Sequence, residues 1–217
     1  IALPSTKPSW SGNAALAQFL GAFRFELKSL VKTPVFIVIL AAAMLNCCVS
    51  LAMSTGEAFG NKTFPVTYQM AQIIQGTLYM FLIAIITFFA GQLVWRDRDE
   101  RMDEIQDSLP MRDWLLYTSK FSALVLSIFA ILSTTIAVGM AVQAYRGYTR
   151  FQFGLYAEEI LFRDFTLMVM LAVAAFLCHV LSPNKYIGYF SFIAFLIFDA
   201  FGWNALGDAQ WTVADGV

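Results

Sequence analysis

The chain has 217 residues, 59% of them apolar and 13% charged, with 14 Lys and Arg against 15 Asp and Glu and a net charge of −1. Soluble domains run at roughly 45–50% apolar and about 25% charged, so this composition, with a mean hydropathy of +0.67, excludes an ordinary water-soluble globule and points to a lipid bilayer. The near-neutral balance also argues against a nucleic-acid partner, whose binding rests on a basic surface.

The opening residues, "IALPSTKPSWSGNAALAQF", lack the basic-then-apolar order of a signal peptide. Residues 1–22 read as a linker, residues 23–217 as one transmembrane domain, and the whole as a piece of a longer polypeptide. In "FRFELKSLVKTP", Phe23, Leu27, Leu30 and Val31 share one helical face and Arg24, Lys28 and Lys32 another. This pattern predicts a helix lying in the membrane interface over 23–33. Basic residues so closely spaced would be costly below the headgroups, which disfavours a continuous span. Pro34 then ends the helix or redirects the chain.

A crossing takes about 20 apolar residues, and such runs recur at 34–53, 68–95, 119–145, 165–181 and 186–203. Five spans are expected, with a sixth beyond Val217. Orientation follows from Lys and Arg in the short loops. Arg24, Lys28 and Lys32 precede the first span; Arg96, Arg98, Arg101 and Arg112 follow the second, and Lys120 opens the third. Both segments should be cytoplasmic. Arg146, Arg150 and Arg163 fit less well, because alternation puts their loop outside, and Lys185 in the "SPNKY" turn returns to the cytoplasm.

Between the second and third spans lies "WRDRDERMDEIQDSLP", residues 95–110. The second span outruns the bilayer core, so the charges begin where lipid ends. Arg96 and Glu100, and Asp97 and Arg101, are spaced as (i, i+4) pairs. Met102, Ile105 and Leu109 form an apolar stripe with Asp103, Glu104 and Asp107 facing away, and Pro110 stops the helix. A mere connection between two spans needs only a few residues, and this apolar stripe needs a membrane surface or a partner protein to bury against.

Polar groups inside spans are expensive and usually face the bundle. Gln69, Gln72 and Gly76 share a face of the second span, with Gln75 beside them, and Asn46 lies midway along the first. They line a substrate path or, the favoured reading, act as interhelical hydrogen-bond glue, as does Gln143. Cys47, Cys48 and Cys178 have no metal-like spacing and read as packing residues. The single histidine, His179, reads as structural. Asp199 is a proton-relay or cation-site candidate unless it lies near the outer surface. Glu158 and Glu159 point in different directions, and Glu159 with Arg163 predicts an (i, i+4) pair on a short surface helix. Asn61-Lys62-Thr63 matches an N-glycosylation acceptor but reads as a polar turn. No G-x-x-x-x-G-K-[ST] and no H-E-x-x-H occurs, so the chain carries neither a nucleotide-binding loop nor that zinc motif and is not read as an enzyme.

The order of interfacial helix, span, outer loop, long span, charged segment, Pro and span opening with Lys resembles the permease half of ABC-2 type transporters. "LKSLVKTPVFIVIL", "TFPVTYQM", "FFAGQLVWRDRDERMDEIQDSLP", "QAYRGYTRFQFGLY" and "NKYIGY", over roughly residues 25–189, resemble more narrowly the bacterial permeases that carry a zinc aminopeptidase-like domain in the same polypeptide. That domain is absent from this chain, and Gln92 stands where the family usually has Glu. The resemblance implies an all-α ABC-2 type helical bundle, six spans in the full half, whose coupling region (96–113) docks on an ATP-binding subunit through Arg96, Arg98, Arg101, Met102, Glu104, Ile105 and Leu109. Asn46, Gln69, Gln72 and Gln75 are the candidates for a translocation path. No cofactor is expected in this chain; ATP and Mg²⁺ would sit on the partner ATPase. The other expected partners are a second permease half or a second copy, membrane lipid and a substrate the residues do not name. Multi-pass insertion in the bacterial inner (cytoplasmic) membrane, with the N-terminal side cytoplasmic, and export follow as expectations. Two rival readings stay open: a non-ABC carrier or channel, and a membrane anchor that transmits movement without transport.

Overall fold

The computed structural model describes residues 12–54, 57–58, 61–62, 65–100 and 113–214, without side chains at 13, 54, 57–58, 61–62, 113 and 202–214. In chain order the helices are α1 (Gly12–Lys32), α2 (Pro34–Ser54), α3 (Thr67–Asp99), α4 (Asp113–Tyr145), α5 (Phe153–Leu181) and α6 (Lys185–Ala214). Between α2 and α3, β1 (Glu57–Ala58) and β2 (Asn61–Lys62) form an antiparallel ladder with Glu57 opposite Lys62 and Ala58 opposite Asn61.

α1 starts at Gly12, not at Phe23. Ala14, Ala15, Leu16, Ala17 and Gln18 are strong helix formers, so residues 12–22 extend the helix. Its inner face also differs from the expected stripe. Glu26 and Leu30 are buried, Phe23 and Leu27 are half-buried, and Val31 is 45% exposed. A carboxylate at the centre of that face rotates the helix away from a purely hydrophobic choice. At its end the Thr33 N–H donates to the Leu30 carbonyl at 3.1 Å, and Pro34 opens α2. Proline is suited to a first helical position, where its missing N–H is not needed.

The segments Pro34–Met53, Thr67–Asp99, Trp114–Tyr145 and Phe153–Leu181 are long and apolar enough to cross a membrane. The fifth expected span, 186–203, falls within α6, whose side chains are described as far as Phe201. The fourth starts earlier than its apolar run. After one α-helical turn, Phe153–Tyr156, the chain takes a π-helical course over Ala157–Asp164 and continues as α-helix from Phe165. The acidic segment is therefore the first part of the spanning helix, not a separate surface helix. α4 ends in a Schellman turn: Gly147 has φ +80°, Tyr148 N–H donates to Gln143 O at 2.9 Å and Gly147 N–H to Ala144 O at 3.0 Å.

α3 is the centre of the bundle. Its stripe of Met70, Ile74, Leu78, Leu82, Ile85 and Phe89 is buried against α2, α4, α5 and α6. α2 meets it with Phe36, Ala43, Cys47 and Leu51, at helical spacing, and Phe36 packs edge-on against Phe89 at 5.4 Å. α1 lies mainly along α4, and α6 packs on α5 and α3.

Candidate functional site

The last turn of α3 carries the charges that the sequence places between the second and third spans. Arginine, aspartate and glutamate tolerate a helical backbone, so α3 runs on through Asp99, and Arg96 and Arg98 complement the negative end of its dipole. Successive side chains leave the helix in different directions, about 100° apart. Each finds a separate partner.

Arg96 turns towards α1. Its Nη2 contacts both Glu26 carboxylate oxygens at 2.8 Å, its Nη1 donates to Ser29 Oγ at 3.1 Å, and Phe25 lies 5.5 Å from the guanidinium carbon. Asp97 faces α4 and forms an ion pair with Lys120, itself 3% exposed; Arg96 Nε lies 3.7 Å from the other Asp97 oxygen. Asp99 pairs with Lys185 at the start of α6 at 2.9 Å. Arg98 is exposed and stacks over Trp95, 4.9 Å to the ring centroid. One helical turn thus ties α3 to α1, α4 and α6.

The electrostatics grade from inside to outside. Burial pushes the Glu26 carboxyl above its usual value of 4.5, while the Arg96 guanidinium and then Lys120 pull it back. The hydrogen bond to Asp99 raises the Lys185 ammonium above its usual value, but that pair is open to water and weak. Glu26, the partner of Arg96, is the residue of this cluster that the sequence pattern does not single out. Its signal was there: a lone acid four residues before Leu30, on the face that should have been purely apolar.

The structure distributes the expected site residues. Arg96 is 13% exposed and committed to Glu26, so it does not form the expected pair with Glu100; Arg98 faces outward. Arg101, Met102, Glu104, Ile105 and Leu109, the rest of the expected docking surface, lie outside the described residues. The path candidates do not converge. Asn46 Nδ2 lies 3.5 Å from the Thr77 carbonyl on the α2–α3 flank, and Gln72 donates to Tyr68 Oη at 2.9 Å on an exposed face. Gln69 is half-buried. Gln75 Nε2 lies 3.3 Å from Asp164 Oδ1 and 3.4 Å from Glu159 Oε2. The π-helical course, with its i→i+5 bonding, brings Glu159 and Asp164 to one amide. Glu159 also accepts from Arg163 at 3.0 Å, as the (i, i+4) spacing predicts.

Two further nodes hold the bundle. Gln143 is buried: its Nε2 donates to Pro65 O at 2.9 Å and approaches Thr67 Oγ1 at 3.3 Å, and its Oε1 accepts from Tyr156 Oη at 3.0 Å. His179 is fully buried, edge-on to Tyr189 at 4.7 Å and against Gly188, and neither ring nitrogen has a hydrogen-bond partner among the described residues. Gln92 Oε1 and Trp95 Nε1 are likewise buried without one. The cysteines are free, and Asp199 is exposed on α6. No group of three His, Cys, Asp or Glu able to hold a metal occurs among the described residues. The arrangement at the end of α3 joins that helix to α1, α4 and α6.

The sequence model of the family described as "ABC-2 family transporter protein" matches residues 22–202. No curated protein and no solved structure matches the chain.

Proposed function

From the premise that the chain belongs to the ABC-2 family of transporter proteins, we propose that it is the permease part of an ATP-driven exporter, moved by a separate ATP-binding subunit that docks on region 96–113. The chain is a multi-pass membrane protein of that family; the partner, the direction and the bacterial inner membrane belong to the proposal. In this reading the end of α3 faces the cytoplasm, because Arg24, Lys28, Lys32, Arg96 and Arg98 gather there. ATP and Mg²⁺ act on the partner, and this chain receives the movement.

The observation that carries the reading is the fan of ion pairs from one turn of α3: Arg96 to Glu26, Asp97 to Lys120 and Asp99 to Lys185. A rigid push on the segment after Asp99 would move α3 with α1 and α4, which the two buried pairs hold, the kind of rigid-body step that changes which side a membrane cavity opens to. Arg98 and the apolar residues Met102, Ile105 and Leu109 would meet the ATPase, while Arg96 transmits the motion inward. A second permease half, or a second copy, would complete the translocation path.

The test is co-purification from membranes with an ATPase assay, wild type against Ile105→Asp with Leu109→Asp. Recovery of an ATP-binding subunit with wild type, and its loss from a variant that still inserts, supports the reading. If neither protein retains an ATPase, the region serves a membrane surface or another partner and the coupling assignment fails.

A further inference from the structure

An open groove of about 320 Å³ runs between the end of α1, α2 and α4, lined by Val31, Phe36, Leu40, Met44, Ala130 and Thr134 among others. The polar side chains among its described lining, Ser127 and Thr134, are already satisfied. Ser127 Oγ donates to Ala123 O at 2.8 Å and Thr134 Oγ1 to Ala130 O at 2.7 Å. The surface offered is hydrocarbon. From Phe36 to Met44 it follows α2 for about 12 Å at 1.5 Å per residue, close to the roughly 15 Å of one leaflet, half a bilayer core.

Cations stand on the row of α1 next to the groove. On α1 the rows follow one another around the helix: Glu26 and Leu30 inward, Leu27 and Val31 at the groove, then Arg24, Lys28 and Lys32, all exposed. These three basic residues have no ion pair among the described residues, and the nearby acid, Glu26, is committed to Arg96. An apolar slot of leaflet depth beside unneutralised cations matches one class of molecule. We infer that the groove holds an acyl chain of an anionic phospholipid, whose headgroup is bound by Arg24, Lys28 and Lys32. The site rests on the membrane setting alone and stands whether or not the chain couples to an ATPase.

The test reconstitutes the full-length protein in phosphatidylcholine nanodiscs doped with phosphatidylglycerol, extracts it with mild detergent and measures retained lipid by native mass spectrometry. Wild type is expected to retain phosphatidylglycerol over phosphatidylcholine. Replacing Arg24, Lys28 and Lys32 with Gln, which leaves the groove intact, should reduce that preference by about fivefold per charge removed. Ala130→Trp, which fills the groove from an exposed position, should displace the retained lipid whichever headgroup it bears. Equal retention of both lipids by wild type overturns the inference. So does an Ala130→Trp protein that sheds a second protein chain and keeps its phosphatidylglycerol, since the groove would then be an interface between copies.

Discussion

Arg96 and Glu26 form the most consequential pair in the chain because both sit largely out of water, at 13% and 6% side-chain exposure. Removing one partner strands the other. Arg96→Met is expected to destabilise the protein by about 3–5 kcal/mol, whereas Glu26→Leu with Arg96→Met should recover most of the loss, since an apolar pair also suits a buried site. A double-mutant cycle on unfolding in detergent checks this. Glu26 also sets a pH dependence. Its folded carboxyl titrates above the usual 4.5, so the folded state holds the proton more tightly than the unfolded chain. Its contribution is full below about pH 4.5 and is lost as pH rises through the raised value; Glu26→Gln should abolish that part of the pH profile. At Gly188 the constraint is steric, because an added Cβ would overlap the His179 ring. Gly188→Ala should cost about 1–3 kcal/mol, with His179→Ala in the same chain restoring part of it in thermal unfolding.

At the scale of elements, the corner where α3 begins, α4 ends and α5 starts depends on Gln143. It takes one bond from Tyr156 and reaches Pro65 and Thr67. Gln143→Leu would leave the Tyr156 hydroxyl and the Pro65 carbonyl unpaired in a buried setting, a loss of about 1–3 kcal/mol. Tyr156→Phe should cost less, because Gln143 keeps its other contacts; thermal unfolding of the two variants gives the order. α5 illustrates how packing overrides pattern. Its apolar run begins at Phe165, yet the helix begins at Phe153, and in the added segment Gln75 on α3 meets Glu159 and Asp164.

For the whole molecule the proposed orientation makes a prediction independent of transport. Thr149→Cys, in the turn after α4, should react with a membrane-impermeant maleimide on intact cells, and Asn184→Cys, between α5 and α6, only after permeabilisation. Both positions are exposed. The reverse pattern would invert the topology and place the fan of ion pairs outside. Much of the remaining surface is apolar: Val38, Leu45, Phe162, Met170 and Phe190 are each more than half exposed. In a bilayer such faces need no cover from protein, since lipid is as apolar as leucine.

The amino-acid sequence alone determined the solvent and the class, because crossing a bilayer demands a length and an apolarity that composition cannot hide. It also marked the end of α3 as the charged junction, and "FFAGQLVWRDRDERMDEIQDSLP" carried the family resemblance. Only the tertiary structure decided which partners those charges take. Local spacing pointed Arg96 to Glu100, four residues on, whereas the folded bundle gives it Glu26. An exposed pair on one helix gains a few tenths of a kcal/mol, while a buried carboxylate must be paired or lose far more, and no local pattern shows which distant helix will bring it.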